Sequence, residues 1–298
     1  TNNNWDVSST TENYTRLNSA AATTLDWVGF DVSTASFVDS FSVAGQDTIP
    51  LDLTFSPDGT KMFVVGFAGD DINEYTLTTG FDVSTASFVD SFSVSSQTTQ
   101  PSAVAFNTDG TKMFVSDNIN DSVHQYTLST GFDVSTASYD SVSFSVASQD
   151  GSPSGLTFSP DGTKMYIVGD DNKTIYQYTL SSAFDLSTAS YASLSLNVSA
   201  QDSNPQGLTL NSNGTKLFLV GYSGNDVNEY LLSTAYNIST ASFVDSFSVS
   251  SQDTEPRGVA FNTDGTKMFV LCSNSDGVYE YTIPTSLALG TGSFASAD

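Results

Sequence analysis

The sequence is poor in the residues that most catalytic and metal chemistry needs. Its 298 residues include one cysteine, Cys272, and one histidine, His124. A lone cysteine excludes an internal disulfide and a cysteine-based zinc site, and reads as a small buried or half-buried residue after a strand. A lone histidine leaves no Ser–His–Asp set to assemble around it; its place in the repeat described below reads as a surface histidine. Basic residues are scarce as well, 8 against 33 acidic ones, for a formal net charge of -25. That charge repels phosphate backbones and anionic membrane surfaces, which sets nucleic acid aside as a partner. It favours cations and solubility in a saline medium that screens self-repulsion. No run of 18 or more apolar residues occurs, so no membrane insertion by helices is expected. No signal peptide is visible, although the chain starts at Thr1, as a processed or trimmed chain would. Ser, Thr, Asn and Asp are abundant, a composition that reads as extracellular or virion-borne.

What the sequence has is repetition. Residues 50–77 read PLDLTFSPDGTKMFVVGFAGDDINEYTL, and edited copies begin at Pro101, Pro153, Pro205 and Pro256. Between the copies lies a second phrase, FDVSTASFVDSFSV, first met at Phe30. Self-similarity at this period implies a repeat architecture. Each unit reads as four strands. Strand a (Leu53, Thr54, Phe55) alternates apolar with small polar residues. An Asp-Gly turn follows, with Gly59, Gly110, Gly162, Gly214 and Gly265 supplying the positive φ of a tight hairpin. Strand b, from Lys61 to Val65, is apolar throughout after its lysine, as a strand buried on both faces is. Strand c, from Ile72 to Leu77, alternates again. Asp82, Asp133, Asp185 and Asn237 then bond their own downstream N–H groups in a capping turn. Strand d, from Phe88 to Val94, is the most polar and suits an outer edge. Turn signals every 8 to 12 residues and no 3.6-residue period exclude a helical solenoid. A β-helix fits less well, since its rungs are shorter.

Four antiparallel strands per unit, apolar inside and polar outside, describe an all-β fold, a β-propeller. The strands also predict how the ring closes. The last a-b-c set, ending at Ile283, has no d strand after it, whereas an orphan d strand, Phe37 to Val43, precedes the first strand a. We therefore expect a five-bladed ring closed by the N-terminal d strand joining the C-terminal a-b-c strands; a six- or seven-bladed ring, completed by residues 1–29 or by a second chain, is the alternative. The propeller spans residues 30–286, with repeats at about 50–100, 101–152, 153–204, 205–255 and 256–286 plus 30–49. Residues 1–29 read as a polar arm, pinned by Trp5 and Trp27, and residues 287–298 as a tail, loose after Ile283.

The phrases FSPDGTKMFVVG and FNTDGTKMFV resemble the a–turn–b unit of the propellers grouped as YncE, lactonase and WD40-like. YTLSTGFDVSTASFVDSFSV is also similar to repeats of structural and tail-associated proteins of marine phages and of marine bacterial surface proteins. The first resemblance implies fold and leaves function open, because such blades host enzymes, binders and scaffolds. The second implies display or attachment. The lactonase-type enzymes carry a metal or acid–base set of His, Glu and Arg in the central channel. This chain departs from that pattern, so no catalytic residue carries over.

The loops between strands d and a share one face with those between b and c. In the former Gln46, Gln97, Gln149, Gln201 and Gln252 recur, followed by Asp47, Asp150, Asp202 and Asp253, with Thr98 the exception. The latter are acidic too. Three readings stand. The amides and carboxylates satisfy backbone donors within the turns; oxygen ligands, with Asp70, Asp71, Asp170, Asp171 and Asp226 as candidates, bind Ca²⁺; or the Gln and Asp side chains, with nearby aromatics, hold sugar hydroxyls. The repeated Lys61, Lys112, Lys164, Lys216 and Lys267 read as partners of Asp58 and its equivalents, and Tyr75, Tyr126, Tyr178, Tyr230 and Tyr281 as core rings with satisfied hydroxyls. The acids recur in every unit, and a catalytic site is expected to break that symmetry; no such break with chemistry in it stands out.

The leading functional expectation is therefore a non-enzymatic structural or display module on a virion or cell surface, attached to a protein partner or a surface, with homo-oligomers within reach. A lectin-like adhesin with glycan sites repeated between blades is the alternative. A metal-dependent lactonase-like hydrolase is the third reading.

Overall fold

The computed structural model describes residues 27–287 of the chain. Each repeat folds into a four-stranded antiparallel sheet, ordered a-b-c-d. Blade 1 comprises Pro50–Phe55, Lys61–Gly66, Asp71–Leu77 and Ala86–Ser93. Blade 2 comprises Pro101–Phe106, Lys112–Asp117, Ser122–Leu128 and Ala137–Ser145. Blade 3 comprises Pro153–Phe158, Lys164–Gly169, Thr174–Leu180 and Ala189–Asn197, and blade 4 Pro205–Leu210, Lys216–Gly221, Asp226–Leu232 and Ala241–Ser248. Blade 5 has Pro256–Phe261, Lys267–Cys272 and Gly277–Thr282 as its a, b and c strands, and its d strand is Ser36–Ser42. The ring is thus a five-bladed propeller closed by the N-terminal strand. Each strand a lies against the strands a of both neighbouring blades, and that of blade 5 against that of blade 1.

The core is five wedges rather than one centre. Each wedge joins two adjacent blades; one holds Val64, Tyr75 and Leu53 of blade 1 with Phe269, Leu271 and Val278 of blade 5. Strand b is buried along its length after the lysine. The turn glycine Gly59 has φ of 70° and is covered by the Phe81 ring, which a Cβ there would strike. A side chain at this point would be strained twice, by conformation and by contact. Strand d forms the exposed outer edge, and a bulge between Phe88 and Asp90, opposite Tyr75 and Glu74, interrupts it. An interrupted edge resists pairing with other chains.

Neighbouring blades are stapled by strand c. Glu74 of blade 1, 2% exposed, accepts the Val134 N–H of blade 2 at 3.0 Å. Lys61 binds both the Glu74 carboxylate and the Phe132 carbonyl at 2.6 Å. Glu280 and Lys267 hold Val83 and Phe81 in the same way, whereas blades 2 and 3 use the amides of Gln125 and Gln177. Lys61, Lys216 and Lys267 therefore pair across to strand c, not back to Asp58 and its equivalents as the turn spacing suggests. Asp58 is occupied by its own turn, accepting from Ser56 and Thr60. Lys112 instead reaches Asp140, and Lys164 lies over the Tyr236 ring.

The closing strand is held by the same devices. Ser36 to Ser42 pair with Thr282 to Gly277 of blade 5. Phe30 covers Gly265, and its carbonyl accepts from Lys216 at 2.9 Å. The Val32 N–H donates to Glu229 at 3.2 Å. The ring, residues 29–285, is one compact unit, and a second unit includes Trp27–Val28 and Ser286–Leu287. Those two short strands pair antiparallel, Trp27 with Leu287 and Val28 with Ser286, so residues 286–287 are not the loose tail expected after Ile283. Trp5 lies outside the described residues.

Candidate functional site at the channel mouth

The d–a and b–c loops gather at one end of the ring, around the start of the five strands a. Most of the recurring polar residues there are engaged inside the blades. Gln46, Gln97, Gln149, Gln201 and Gln252 each accept from the hydroxyl of a buried strand-c tyrosine, Tyr75, Tyr126, Tyr178, Tyr230 and Tyr281, at 3.2 to 3.4 Å. Asp47 is 2% exposed and accepts from the backbone of Ile49, Ala68 and Gly69. Asp150 and Asp202 do the same in their own blades. Gly66, Gly169 and Gly221 at the end of strand b are required by this arrangement, since a Cβ at each would fall on the carboxylate.

Two blades depart from the pattern. In blade 5 Cys272 replaces the glycine; Asp253 keeps one bond, from the Glu255 N–H at 2.7 Å, and its other oxygen is buried without a partner. The Cys272 thiol is buried and pushed well above its usual range, by burial and then by Asp253. In blade 2 the carboxylate has changed strands. Thr98 stands where Asp is expected and Asp117 where Gly is, and Thr98 donates to Asp117 at 2.7 Å. Asp117 also accepts from Ile119, from Asn120 and from His124 at 3.1 Å. Burial opposes its ionisation, but these bonds, led by His124, outweigh it and hold the carboxyl well below the usual range. His124 is therefore a buried residue, 7% exposed, rather than the surface histidine its strand position suggests. Thr98 and His124 both bind the carboxylate and not each other, so His124 is not the base partner of the Thr98 hydroxyl.

The calcium candidates are spread over three blades, Asp70 and Asp71 in blade 1, Asp170 and Asp171 in blade 3 and Asp226 in blade 4. Asp71 and Asp226 each accept from an amide two residues on, Asn73 and Asn228. Asp70 and Asp170 each have a buried oxygen without a partner. Asp171 contributes its backbone N–H to Asp150 and its carbonyl to Lys173. Among the described residues no three His, Cys, Asp or Glu side chains converge as metal ligands. The face is electrostatically crowded: Asp71 is raised by burial and by neighbouring Asp47 and Asp70, and Asp276 by burial, Asp47 and Asp253.

One layer at this end does not repeat, and sequence reasoning missed it. The backbone is the same in all blades: Phe67, Asn118, Asp170, Tyr222 and Ser273 each donate an N–H to the carbonyl of Ile49, Gln100, Ser152, Asn204 and Glu255, respectively. The side chains at these paired positions share no common type. Nor do those at the second residue of strand a: Leu51, Ser102, Ser154, Gln206 and Arg257. Ser102 and Ser154 bond the proline carbonyl of the next blade. Between blades 4 and 5 a charged network replaces them. Arg257 donates to Gln206 at 2.8 Å and to Ser273 at 3.0 Å, lies 5.2 Å over the Tyr222 ring and stands 3.7 Å from Glu255. Glu255 accepts from Tyr222 at 3.2 Å and Ser273 at 3.1 Å.

Asp52, at the third residue of blade 1 strand a, is the other break. Its counterparts are Ala103, Gly155, Gly207 and Gly258. Its carboxyl is 7% exposed, accepts from the Val104 N–H at 3.2 Å and fills the space that a Cβ at Gly258 would need. Burial raises its pKa to about 8, against the backbone bonds from Val104 and Leu53. At the opposite end of the ring a hollow of about 230 Å³ lies between blades 1, 2 and 3, lined by the rings of Phe55, Phe106 and Phe158; none of its lining residues is ionisable.

No protein-family model matches the chain, and no curated protein does. Solved structures do. A functionally unknown protein of Desulfotomaculum acetoxidans is 12% identical over 75% of this chain and 62% of its own, with a TM-score of 0.46. A putative 6-phosphogluconolactonase of Bacteroides uniformis is 14% identical over 76% and 64%, with a TM-score of 0.48. A protein of Lactobacillus plantarum is 15% identical over 80% and 70%, with a TM-score of 0.49. The chain thus spans less than two thirds of the length of the first two.

Proposed function

We propose that this propeller is a non-catalytic recognition module, which attaches a protein partner or a surface through the non-repeating mouth of its channel. The observation that carries this reading is the contrast within one end of the ring. Recurring Gln and most recurring Asp side chains are consumed by the scaffold, while the layer beside them keeps one backbone and carries no side chain common to the five blades. A surface freed from repetition is where a repeat protein acquires a specific partner. The groups that would drive catalysis are poorly placed for it. The His124 ring is tied to Asp117, the Cys272 thiol is buried, and the Asp52 carboxyl is held by a backbone N–H. The strongly acidic charge fits display in a saline medium, at a virion or cell surface.

A panel of lactone, ester and glycoside substrates tests the reading. Rates should equal those of buffer alone. Turnover that disappears in Asp52→Asn or Arg257→Gln, with the melting temperature unchanged, would replace recognition by catalysis at the same mouth.

A further inference from the structure

We infer that the seam between blades 4 and 5 at this mouth is a single saccharide-binding site, taking a neutral, hydroxyl-rich ligand. This deepens the recognition reading and rests on it. The seam holds the only arginine among the described residues, and that arginine is braced rather than buried: the Arg257 side chain is 22% exposed and that of Glu255 32%. Arg257 commits Nε to Ser273 and one Nη to Gln206, while its second Nη is only a long 3.7 Å from Glu255. A guanidinium has five N–H groups in a fixed fork, so donors remain to be taken. Glu255, accepting from Tyr222 and Ser273, offers remaining lone pairs beside them. Tyr222, 38% exposed, adds an aromatic surface at the same place. A rigid aromatic with a few converging donors and acceptors is the usual make-up of a small-ligand site.

The charge around the seam selects the class. Asp202 and Asp253 lie in the adjoining d–a loops and Asp226 and Asp276 at the ends of the adjoining b–c loops, so an anion would approach against a negative field. A cation would have to sit beside the Arg257 guanidinium. A neutral polyol uses both members of the Arg257–Glu255 pair, donating to one and accepting from the other, with no net charge brought in. Sites built around hydroxyl hydrogen bonds discriminate strongly, because an analogue lacking the hydroxyl leaves polar groups unpaired. The set occurs once. The equivalent positions of blade 1 are Ile49, Leu51 and Phe67, which present an aromatic ring without the polar partners. The expectation of sugar sites repeated around the ring therefore becomes one site at one seam.

The test is an array of neutral and acidic oligosaccharides probed with the full chain, followed by calorimetric titration of the strongest neutral ligand. Wild type should bind one equivalent per chain. Tyr222→Ser and Arg257→Gln should each weaken binding at least about tenfold, which is about 1.4 kcal/mol. Phe67→Ser, the matching exposed aromatic of blade 1, should leave affinity unchanged and controls for the general effect of removing a ring; melting curves verify that each variant is folded. Silence on the array, several equivalents per chain, preference for acidic glycans, or equal losses in Tyr222→Ser and Phe67→Ser would each overturn the site. None of these touches the recognition reading, which turns on the absence of turnover.

Discussion

At the scale of single residues, the informative positions are those where one blade departs from its four sisters. Asp52 is the clearest, because a carboxyl stands where the other blades have Ala or Gly. Its pKa is about 8 in the folded chain against an ordinary value of 3.8. Between those two values the folded state holds a proton that the unfolded state has released. Folding therefore binds protons in this window, and stability falls as pH rises, by up to about 1.4 kcal/mol per pH unit for one group. Below the lower value both states are protonated, and above the upper one both are ionised, so the slope vanishes outside the window. Asp52→Asn keeps an acceptor for the Val104 N–H and removes the titration. We expect the wild-type melting temperature to drop from pH 5 to pH 8 and the Asp52→Asn curve to be flatter and higher at pH 8. Since every other residue is common to both chains, the difference between the curves isolates Asp52. Parallel curves would show that this carboxyl is ionised within the fold.

At the scale of elements, four of the blades build the same loop architecture from two different sets of residues. Blades 1, 3 and 4 place Asp in the d–a loop opposite a glycine that ends strand b, and blade 2 places Thr opposite Asp117. Either set delivers one carboxylate to the N–H groups of the b–c loop. Thr98→Asp alone should bring two carboxylates into the space of one, and Asp117→Gly alone should remove the acceptor of Ile119, Asn120, Thr98 and His124. Each single change should cost about 2 to 3 kcal/mol, and the double variant should recover most of it, a coupling that chemical denaturation of the four chains measures. Additive losses would mean that the two positions act separately. The strands and turns of this fold were legible because alternation, Asp-Gly turns and repetition all agree. Partner choice was less so. Lys61 sits next to Asp58 in the turn, but Glu74 is on the strand that pairs with its own, and the pairing register brings them together. His124 shares its column with Asn73 and Tyr176, and Asn73 is buried as well; what holds the imidazole there is Asp117 on the adjacent strand, a substitution that only makes sense beside Thr98. The mouth escaped notice because recurrence draws attention to Gln46 and Asp47 and their copies. The signal lay in the column that keeps no residue common to all five blades, Leu51, Ser102, Ser154, Gln206 and Arg257.

At the scale of the whole molecule, five similar sheets become one cooperative body only if the last is joined to the first. The segment that joins them, residues 30–43, has the same sequence as residues 81–94, FDVSTASFVDSFSV. Closure thus uses an ordinary d strand, and its place is decided by connection rather than by special residues. Inside the ring the segment puts Phe30 against Phe218 and Phe261, buries Val32, and covers Val278 and Tyr281 of blade 5 by strand pairing. Removing it exposes that apolar surface and leaves Glu229 and Lys216 without their backbone partners. A chain starting at residue 44 should therefore lose cooperative melting or melt far below the intact chain. The peptide FDVSTASFVDSFSV added in trans should restore stability saturably, by about 2.7 kcal/mol at a hundredfold excess over its Kd. The same peptide with Asp in place of Val32 should not, because Val32 is fully buried and a carboxylate there would lie beside Glu229. A shortened chain that melts with the intact one, indifferent to the peptide, would mean that the five blades cohere through their wedges alone and that the closing strand contributes nothing to the ring.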